Sequence, residues 1–253
     1  MKIQYASDLH LELSGNSRWV KNNSLNVTGD ILVLAGDIAY LGTDCSNNSF
    51  WSWCADNYEQ TLIIPGNHEY YGGFDLKDTL SEWTYELRSN VRYLNNVVVK
   101  IGRTCIVLST LWSNIRVENA LVIENEITDF HRIRYGGNRL DFVMFNEAHR
   151  CSLDFIRNAV SLCANDNIIV VSHHLPSQIL VSDRFKGCKL NDAFSSEQEQ
   201  WIADSKITYW IYGHSHTNIH GKIGNTQFLS NQLGYVFDSP ESADFDKGAC
   251  VEV

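Results

Sequence analysis

Five short apolar runs in this chain each stop abruptly at a cluster of Asp, Asn or His side chains. The runs are four to six residues long and longer helical patterns separate them, which is typical of an α/β fold. Because the carboxyl ends of neighbouring strands meet along one edge of an open α/β sheet, where such folds bind ligands, we expect the five clusters to form one site. The runs cover residues 2–6, 31–35, 61–64, 168–171 and 207–212.

The segments between these runs predict helices that cover the sheet. Residues 46–58 and 74–88 have helical patterns, and in the second of these the leucines and Trp83 share one face. Residues 146–164 repeat apolar side chains at helical spacing, and residues 195–203 begin with a Ser-Ser-Glu capping pattern. We therefore expect four helices packed outside the strands.

Two regions are less regular. After residue 217, short strands are expected at 219–223, 226–229 and 249–253, and they would extend or complete a second sheet. Residues 113–141 are rich in charge, Asn and Gly, which predicts an irregular surface segment near the mouth of the site.

Length and composition indicate one folded unit. The chain has 253 residues, of which 44% are hydrophobic and 20% charged, which excludes disorder and fits a single domain over residues 1–253. The longest apolar run, residues 31–41, is interrupted by Gly36 and Asp37, so no membrane span is expected. The N-terminus lacks the apolar core of an export signal, and the seven cysteines form no CxxC pair. These features favour a cytoplasmic protein with reduced thiols.

The net charge indicates which classes of partner the protein is expected to bind. Lys and Arg total 20 against 30 Asp and Glu, so the net charge is −10 and strong nonspecific binding to nucleic acid is not expected. Phosphate substrates stay possible, because bound divalent metal ions would reverse the field around a cluster of acidic ligands.

The five polar clusters have the composition of a metal site. Taken singly, each is weak evidence and is more often a capped turn, a loop or a strand end than a metal ligand. Gathered at one sheet edge, however, they would bury unsatisfied polar groups unless something shared bound them, and metal ions satisfy that requirement. The clusters read Asp8-Leu9-His10, Gly36-Asp37, Gly66-Asn67-His68-Glu69, Ser172-His173-His174 and Gly213-His214-Ser215-His216.

In this order the clusters resemble the five motifs of the calcineurin-like metallophosphoesterases, and the chain looks like the small single-domain members of bacteria and phages. The late segment Ser230-Asn231-x-x-Gly234-Tyr235 also resembles one found in them. The resemblance implies a four-layer α/β/β/α fold of two mixed sheets flanked by helices. It places Asp8, His10 and His216 on one metal ion, Asn67, His173 and His214 on the other, and Asp37 between the two.

The chemistry of these residue types agrees with that assignment. A bridging carboxylate such as Asp37 can hold two divalent ions about 3.5–4 Å apart, so that both polarise one water and grip the phosphate. We expect a metal-bridging hydroxide to attack phosphorus in line, without a covalent enzyme intermediate. Imidazole, carboxylate and amide ligands accept Mn, Fe, Zn, Co or Ni, so the identity of the two ions stays open.

His68 follows Asn67 directly, and the resemblance implies that it protonates the leaving oxygen or steadies the phosphoryl charge. A positioned imidazolium contributes roughly 10²- to 10⁴-fold in rate when an alkoxide leaves. Asp37, Asp44 or Glu69 could orient His68, and the sequence does not choose among them.

Other polar residues are candidates for substrate contact. His174 could take the place of His173, contact the substrate phosphate or fill the rim, and Tyr40, standing where the motif often has Gly, could bring its ring near the site or pack elsewhere. Arg132 and Arg134, with Arg139, could clamp a phosphate, although arginines in a charged loop are usually solvated. Trp112 could line the mouth of the site or pack in the core.

The sequence therefore predicts a dinuclear-metal-dependent hydrolase of phosphate esters, either mono- or diesters, acting on a small molecule or nucleotide. Two alternatives stay open. A nuclease or cyclic-nucleotide phosphodiesterase would use the same metal site, and a noncatalytic metal-binding scaffold would use the same fold to bind proteins. Because a scaffold is expected to lose ligands and none is missing here, we favour the enzyme.

Overall fold

The computed structural model describes residues 1–42, 45–163, 167–237 and 244–253, and it contains two mixed six-stranded sheets. The strands of the first sheet are β1 (Lys2–Ala6), β2 (Ile31–Ala35), β3 (Gln60–Ile64), β4 (Trp83–Arg88), β5 (Val91–Asn95) and β14 (Cys250–Glu252). Their spatial order is β14-β1-β2-β3-β5-β4, with β14 and β4 antiparallel to their neighbours. The strands β1, β2, β3 and β5 are parallel, so their carboxyl ends lie along one edge.

The second sheet has the same plan. Its strands are β6 (Val97–Ile101), β7 (Thr104–Leu108), β10 (Asn167–Val171), β11 (Ile207–Tyr212), β12 (Gly221–Ile223) and β13 (Thr226–Ser230), in the order β12-β13-β11-β10-β7-β6. The four central strands are parallel, and β12 and β6 are antiparallel to their neighbours. A two-stranded hairpin, β8 (Arg134–Tyr135) and β9 (Asn138–Arg139), lies outside both sheets.

Six α-helices complete the described architecture. They are α1 (Ser14–Asn22), α2 (Ser49–Asn57), α3 (Val117–Glu126), α4 (Asp129–Arg132), α5 (Phe142–Leu162) and α6 (Glu199–Asp204). The longest, α5, begins where the Asp141 side chain accepts a hydrogen bond from the Met144 backbone N–H at 2.8 Å, a standard N-cap. In the ranges that the structure describes, no helix is long and apolar enough to cross a membrane.

Alternation along the strands divides the core into layers. Odd-numbered residues of β2 face the second sheet, whereas Leu32 and Leu34 face α1 and α2. The outer face of the second sheet packs on α5 and α6, where Ile156 and Ile202 contact the same cluster as Val170. The layer between the sheets includes Ile3, Val33, Leu62, Ile106, Ile169 and Ile211. This arrangement confirms the four-layer α/β/β/α fold.

The prediction of a helix over residues 74–88 is wrong. Asp75 caps only a single 3₁₀ turn at Leu76–Thr79, and the chain then enters strand β4. Trp83 and Tyr85 stack on one another with ring planes 4° apart, which shows that residues two apart share a face, as in a strand. Aromatic residues and Thr favour strands, and pairing with β5 overrides the helical spacing of the leucines.

The segment 113–141 is more ordered than expected. It contains α3, α4 and the β8–β9 hairpin, and it buries Ile123, Phe130 and Ile133 against the start of α5. Trp112 is fully buried in the same cluster, so its ring packs in the core. The charged residues lie on the outside of a region that has its own hydrophobic core.

The remaining differences concern element boundaries. Helix α2 is preceded by a 3₁₀ turn at Cys45–Asn47, and α6 is shorter than the expected helix over 195–203 because Ser195 pairs with Leu175 instead. Strands β12 and β13 belong to the second sheet as expected, but β14 pairs with β1 in the first sheet. Helix α1 and strands β5 and β6 were not predicted.

Candidate metal centre

The structure brings together all seven side chains expected to bind metal, which we call the donor cluster: Asp8, His10, Asp37, Asn67, His173, His214 and His216. They follow the carboxyl ends of β1, β2 and β3 in one sheet and β10 and β11 in the other. Three groups of His, Asp and Glu side chains here have ligand atoms within 4.8 Å of one another.

Backbone strain is concentrated at this edge. Of the eight non-glycine residues with positive φ in the described parts, five belong to the donor cluster, with φ between 47° and 76°. A left-handed conformation costs a non-glycine residue of order 1 kcal/mol or more, and it persists only where the surroundings enforce it. The fold therefore turns these side chains toward one another at an energetic cost. The five are Asp8, His10, Asp37, His214 and His216.

The first group of donors consists of Asp8, His10 and His216. His216 Nε2 lies 3.3 Å from Asp8 Oδ1 and 3.0 Å from His10 Nε2. Two imidazole nitrogens at this separation repel unless a proton or a metal ion lies between their lone pairs. A carboxylate and two imidazoles that converge in this way are suited to a transition metal ion.

The second group consists of Asn67, His173 and His214. His173 Nε2 lies 3.1 Å from Asn67 Oδ1, and its other nitrogen, Nδ1, donates to the Ala35 carbonyl at 2.8 Å. That backbone contact fixes the proton on Nδ1 and leaves Nε2 as the ligand atom, an arrangement usual for metal-binding histidines. His214 Nε2 is buried and has no hydrogen-bond partner in the described residues, so it too is available as a ligand.

Asp37 lies between the two groups. Its Oδ1 is 3.3 Å from His173 Nε2, and its Oδ2 is 3.9 Å from His10 Nε2. The side chain of Asp37 is almost completely buried and its Oδ1 also accepts the His68 backbone N–H at 2.9 Å. Each oxygen of one carboxylate thus faces a different group of donors.

The charges of the site call for cations. Burial raises the pKa of Asp37, but the charges of His173 and His68 outweigh it and hold the pKa well below its usual value. Burial lowers the pKa of His173, yet the Asp37 charge raises it to about 10. Burial and the charge of His173 lower the pKa of His214 to about 3. The buried carboxylates are thus ionised and attract positive charge. A metal ion bound by His173 would displace the His173 proton.

Three glycines make this close approach possible. A Cβ atom on Gly36 would lie 2.4 Å from His173 Nδ1, and one on Gly66 would lie 2.2 Å from Asp37 Oδ1. A Cβ on Gly213 would lie 2.7 Å from Asp8 Oδ2. Each motif glycine therefore leaves space for a donor from another strand.

The amide of Asn67 is oriented by residues from the segment that was expected to be irregular. Asn67 Nδ2 donates to Asp129 Oδ1 at 2.9 Å, which directs Oδ1 of the amide toward His173. Tyr71 donates its hydroxyl to the same Asp129 oxygen at 2.5 Å. Asp129 and Tyr71 were not predicted, because their contact with Asn67 depends on tertiary packing.

His68 lies beside the donor cluster and is oriented by Glu12. Glu12 Oε1 is 3.0 Å from His68 Nδ1 and 3.1 Å from His10 Nδ1, so one carboxylate oxygen accepts from both imidazoles. Glu12 was not predicted, although its position two residues after His10 is a signal that could have found it. The opposite nitrogen, His68 Nε2, lies 3.3 Å from the Tyr235 hydroxyl.

Asp44 and Glu69 were also candidates for orienting His68. Asp44 lies outside the described residues. Glu69 is fully buried and its carboxylate accepts the backbone N–H groups of Asp37 at 2.9 Å, Ile38 at 2.8 Å and Gly66 at 2.7 Å. Glu69 thus supports the turns after β2 and β3.

His174 does not lie at the rim. It is fully buried, its ring is 4.2 Å from that of His214 and 5.0 Å from that of Trp112, and neither ring nitrogen has a hydrogen-bond partner in the described residues. Burial and the nearby charges of His214 and His173 hold its pKa well below the usual value. His174 therefore packs behind His214 as a neutral ring.

The arginines of the segment 113–141, for which a phosphate clamp was the less favoured of two possibilities, have other contacts in the structure. The Arg132 guanidinium lies 5.1 Å from the Tyr71 ring and 5.6 Å from the Tyr40 ring, and it donates to the Tyr71 carbonyl at 3.1 Å. Arg139 donates to His131 Nδ1 at 2.9 Å, and Arg134 is exposed in β8. Arg132 and Arg139 thus make contacts with the Tyr71 ring and the hairpin, and Arg134 is solvated.

A cleft with a cavity of about 640 Å³ opens over the donor cluster. Asp37, Asn67, His68, His214 and His216 contribute to its floor. One side is formed by residues 175–194, which we call the apolar wall, and the other sides include Tyr71, Tyr235 and the end of α3. The floor has polar donors and the wall is mostly apolar, so the cleft has two chemically different parts.

Comparison with known proteins identifies chains that are similar in sequence or in fold. A protein of Acanthamoeba polyphaga mimivirus described as uncharacterized protein L509 is 27% identical over 283 residues, covering 99% of this chain and 96% of that protein. Among solved structures, the phosphopantetheinyl hydrolase PptH of Mycobacterium tuberculosis has a TM-score of 0.64 at 14% identity, covering 92% of this chain and 89% of that chain. The likeness to PptH shows a shared fold.

The sequence model of the family described as calcineurin-like phosphoesterase matches residues 1–218. The matched range includes every residue of the donor cluster, together with His68 and Glu12. The match covers most of the 253 residues. It includes all the parallel strands of the two sheets except β13. This chain therefore belongs to the calcineurin-like phosphoesterase family.

Proposed function

We propose that this protein hydrolyses phosphate esters with the help of two divalent metal ions bound by the donor cluster. The observation that carries the proposal is the position of Asp37, whose two oxygens face His173 Nε2 at 3.3 Å and His10 Nε2 at 3.9 Å. A carboxylate that faces two groups of donors is what a pair of ions sharing one ligand requires.

The residues present fit such a pair of ions. Asp8, His10 and His216 would hold one ion, Asn67, His173 and His214 the other, and Asp37 would contact both. The set consists of imidazole, carboxylate and amide donors, which suits Mn, Fe, Zn, Co or Ni. When bound, the ions supply the activation of water and the neutralisation of charge that attack on a phosphate ester needs.

His68 is placed to protonate the leaving oxygen. Burial lowers its pKa, but the charges of Asp37 and Glu12 outweigh this effect and raise the pKa to about 9 before metal ions bind. Because Nδ1 is held by Glu12, the proton on Nε2 is the one that faces the cleft. An alkoxide leaves poorly without a proton, so His68 matters most for alkyl esters.

Glu12 sets the position of two imidazoles at once. By accepting from Nδ1 of both His10 and His68, it fixes the proton on that nitrogen in each ring. The Nε2 atom of His10 is then free to bind metal, and the Nε2 atom of His68 faces the substrate. Glu12 is therefore a positioning residue that links metal binding to proton transfer.

The lining of the cleft favours a small substrate over nucleic acid. Among the described residues that line it, Arg184 is the only Lys or Arg. Proteins that bind single-stranded nucleic acids use a positively charged groove along the backbone. A small phosphate ester needs no such groove, so we favour it over a polynucleotide.

The decisive experiment compares Asp37→Ala with the wild type. After loading with Mn²⁺, we expect the wild type to hydrolyse bis(4-nitrophenyl) phosphate and to hold two equivalents of metal by elemental analysis. Asp37→Ala should lose at least about 10³-fold in kcat together with bound metal, whereas Asp154→Ala, an exposed carboxylate on α5, should match the wild type. Unchanged turnover in Asp37→Ala would refute the proposal.

A further inference from the structure

We propose that the cleft selects phosphate esters whose organic group is large and apolar, which the apolar wall contacts while the phosphate lies on the donor cluster. This inference rests on the proposed function and names its substrate class. Four features of the cleft support it: the composition of the wall, its contact with the floor, the hydrogen bonds that hold the wall in place and the small number of charged side chains of the wall that face the cavity.

The wall presents apolar side chains where a substrate would lie. Six of its residues line the same cavity as the donor cluster: Leu175, Val181, Phe185, Leu190, Ala193 and Phe194. Because Leu175, Val181 and Ala193 are themselves buried, the open apolar surface comes from Phe185, Leu190 and Phe194. Phe185 leaves 45% of its surface exposed at the cavity, with the Arg184 guanidinium 5.1 Å from its ring centre, so an apolar group in the cleft can reach the ring. A cavity of about 640 Å³ is in the range that holds an organic molecule of drug size, far more than a phosphate group alone needs.

The wall is continuous with the floor. The Phe194 ring stacks on the imidazole of His214, with centroids 4.6 Å apart and planes 30° apart. Leu175 follows directly after His173 and His174 in the chain and also lines the cavity. An apolar group next to the phosphorus would therefore contact the wall as soon as the phosphate reaches the donor cluster.

The wall is held in place before any ligand binds. The backbone N–H of Leu175 donates to the Phe194 carbonyl at 3.0 Å, which closes the segment at its two ends. Within it, Asn191 Nδ2 donates to the Phe185 carbonyl at 2.7 Å, and Asp192 pairs with Arg116 at 2.7 Å. A preorganised apolar surface loses little entropy on binding, so its contact area converts efficiently into affinity.

Few charged side chains of the wall face the cavity. Arg184 and Glu126, which have opposite charges, are the charged residues that line the cavity away from the floor and Asp129, as far as the chain is described. A nucleoside or sugar group would bring several hydroxyl and amide groups, for which the wall offers few partners besides Ser182, Arg184 and Asn191. An alkyl or aryl group needs no hydrogen-bond partners.

The test keeps the leaving group constant and varies the other ester group. The probes are 4-nitrophenyl phosphodiesters of methanol, butanol, octanol and the 5′-hydroxyl of thymidine, assayed with the Mn²⁺-loaded protein. Each buried methylene is expected to raise kcat/KM by up to about fourfold, so octyl should exceed methyl by at least about tenfold. The thymidine ester, although large, should gain less than the octyl ester.

Variants assign the preference to the wall. Phe185→Ser should reduce the octyl-to-methyl ratio of kcat/KM by about threefold or more, because the octyl chain loses its contact with the ring and the methyl group has little contact to lose. The matched control is Leu162→Ser, which removes an equally apolar side chain that is 87% exposed at the end of α5. That control should retain the full ratio.

Binding gives a readout that does not depend on turnover. Calorimetric titration of the metal-loaded protein with methylphosphonate and octylphosphonate should show at least about tenfold tighter binding of the octyl compound, lost in part in Phe185→Ser. Equal affinities for methylphosphonate and octylphosphonate would overturn the inference and leave the proposed function intact. So would a preference for the thymidine ester together with equal kcat/KM for the methyl, butyl and octyl esters. Failure to hydrolyse any ester would instead count against the proposed function, and the phosphonate titration would still decide the role of the wall.

Discussion

The donor cluster and the apolar wall face the same cleft but are built in opposite ways. Donor side chains follow buried parallel strands, and five of them are held in left-handed backbone conformations that cost energy. The wall consists largely of 3₁₀ turns at Gln178–Leu180, Asp183–Phe185 and Lys189–Ala193, connected by exposed residues. The floor is therefore fixed by the two sheets, whereas an exposed wall residue such as Phe185 can change without disturbing them.

This difference separates two properties of the enzyme that we propose. Changes to the floor should lower the rate on every phosphate ester, because they alter metal binding or proton transfer. Changes to the wall should alter the preference among esters. If the two regions are independent, a variant of one region should change only the property that belongs to that region.

The largest effect is expected for His68→Ala. Loss of the proton donor should reduce kcat by about 10²- to 10⁴-fold on esters with an alkyl leaving group, and by less on nitrophenyl esters, whose leaving group needs no proton. The measurement is kcat on a pair of diesters that differ only in the leaving group. His220→Ala, an exposed imidazole after β11, is the matched control and should behave as the wild type. Equal losses on both esters would contradict the acid role and favour electrostatic stabilisation.

Gly66→Ala tests whether the floor depends on the close approach of its strands. The added Cβ would lie 2.2 Å from Asp37 Oδ1 and 2.7 Å from His173 Nε2, so both donors must move. A displacement of this size is expected to lower kcat/KM by about 10²-fold on methyl and octyl esters alike.

The control for this variant is Gly221→Ala, where the added Cβ would meet only Leu180 at an ordinary 3.5 Å. Elemental analysis should show loss of metal in Gly66→Ala and none in the control. Wild-type rate and metal content in Gly66→Ala would show that the floor tolerates displacement, and the contrast with the wall would fail.

The two regions also differ in how far the sequence predicts them. Each donor follows directly after a short apolar strand, and strand ends meet at a sheet edge, so Asp8, Asp37 and Asn67 could be brought together by reasoning from local patterns. The residues that orient these donors were missed. Glu12 contacts His68 across 56 residues and Asp129 contacts Asn67 across 62, so these contacts depend on tertiary packing.

The wall and the strand β4 were missed for a different reason. Apolar residues of 74–88 fit a helical face and a strand equally well, and only pairing with β5 decides between them. The wall contains short 3₁₀ turns with no periodic pattern, so nothing in residues 175–194 marks Phe185 or Phe194 as lining a cleft. Periodicity predicts elements that bury one face, and a ligand-binding wall leaves part of its apolar surface open.

Glu12→Gln should give a smaller loss than His68→Ala. The amide retains an oxygen but loses the charge that holds both imidazoles, and removing such an outer partner typically weakens metal binding 10- to 100-fold. Calorimetric titration with Mn²⁺ measures this affinity directly. Glu126→Gln is the matched control, because that carboxylate lines the cavity at the end of α3 away from the floor. If both variants bound Mn²⁺ as the wild type does, Glu12 would be no more than a packing residue.

The smallest effect is expected for Arg132→Ala. Its guanidinium stacks 5.1 Å from the Tyr71 ring and donates to a backbone carbonyl, and it does not line the cavity as described. We therefore expect kcat/KM to change by less than about twofold, with a loss of stability of about 0.5–1 kcal/mol from the cation–π contact, measured by urea unfolding. Arg184→Ala, on the wall, provides the comparison. If Arg132→Ala lost tenfold or more in kcat/KM at unchanged stability, the arginine would contact the substrate after all, and the cleft would have a charged rim opposite its apolar wall.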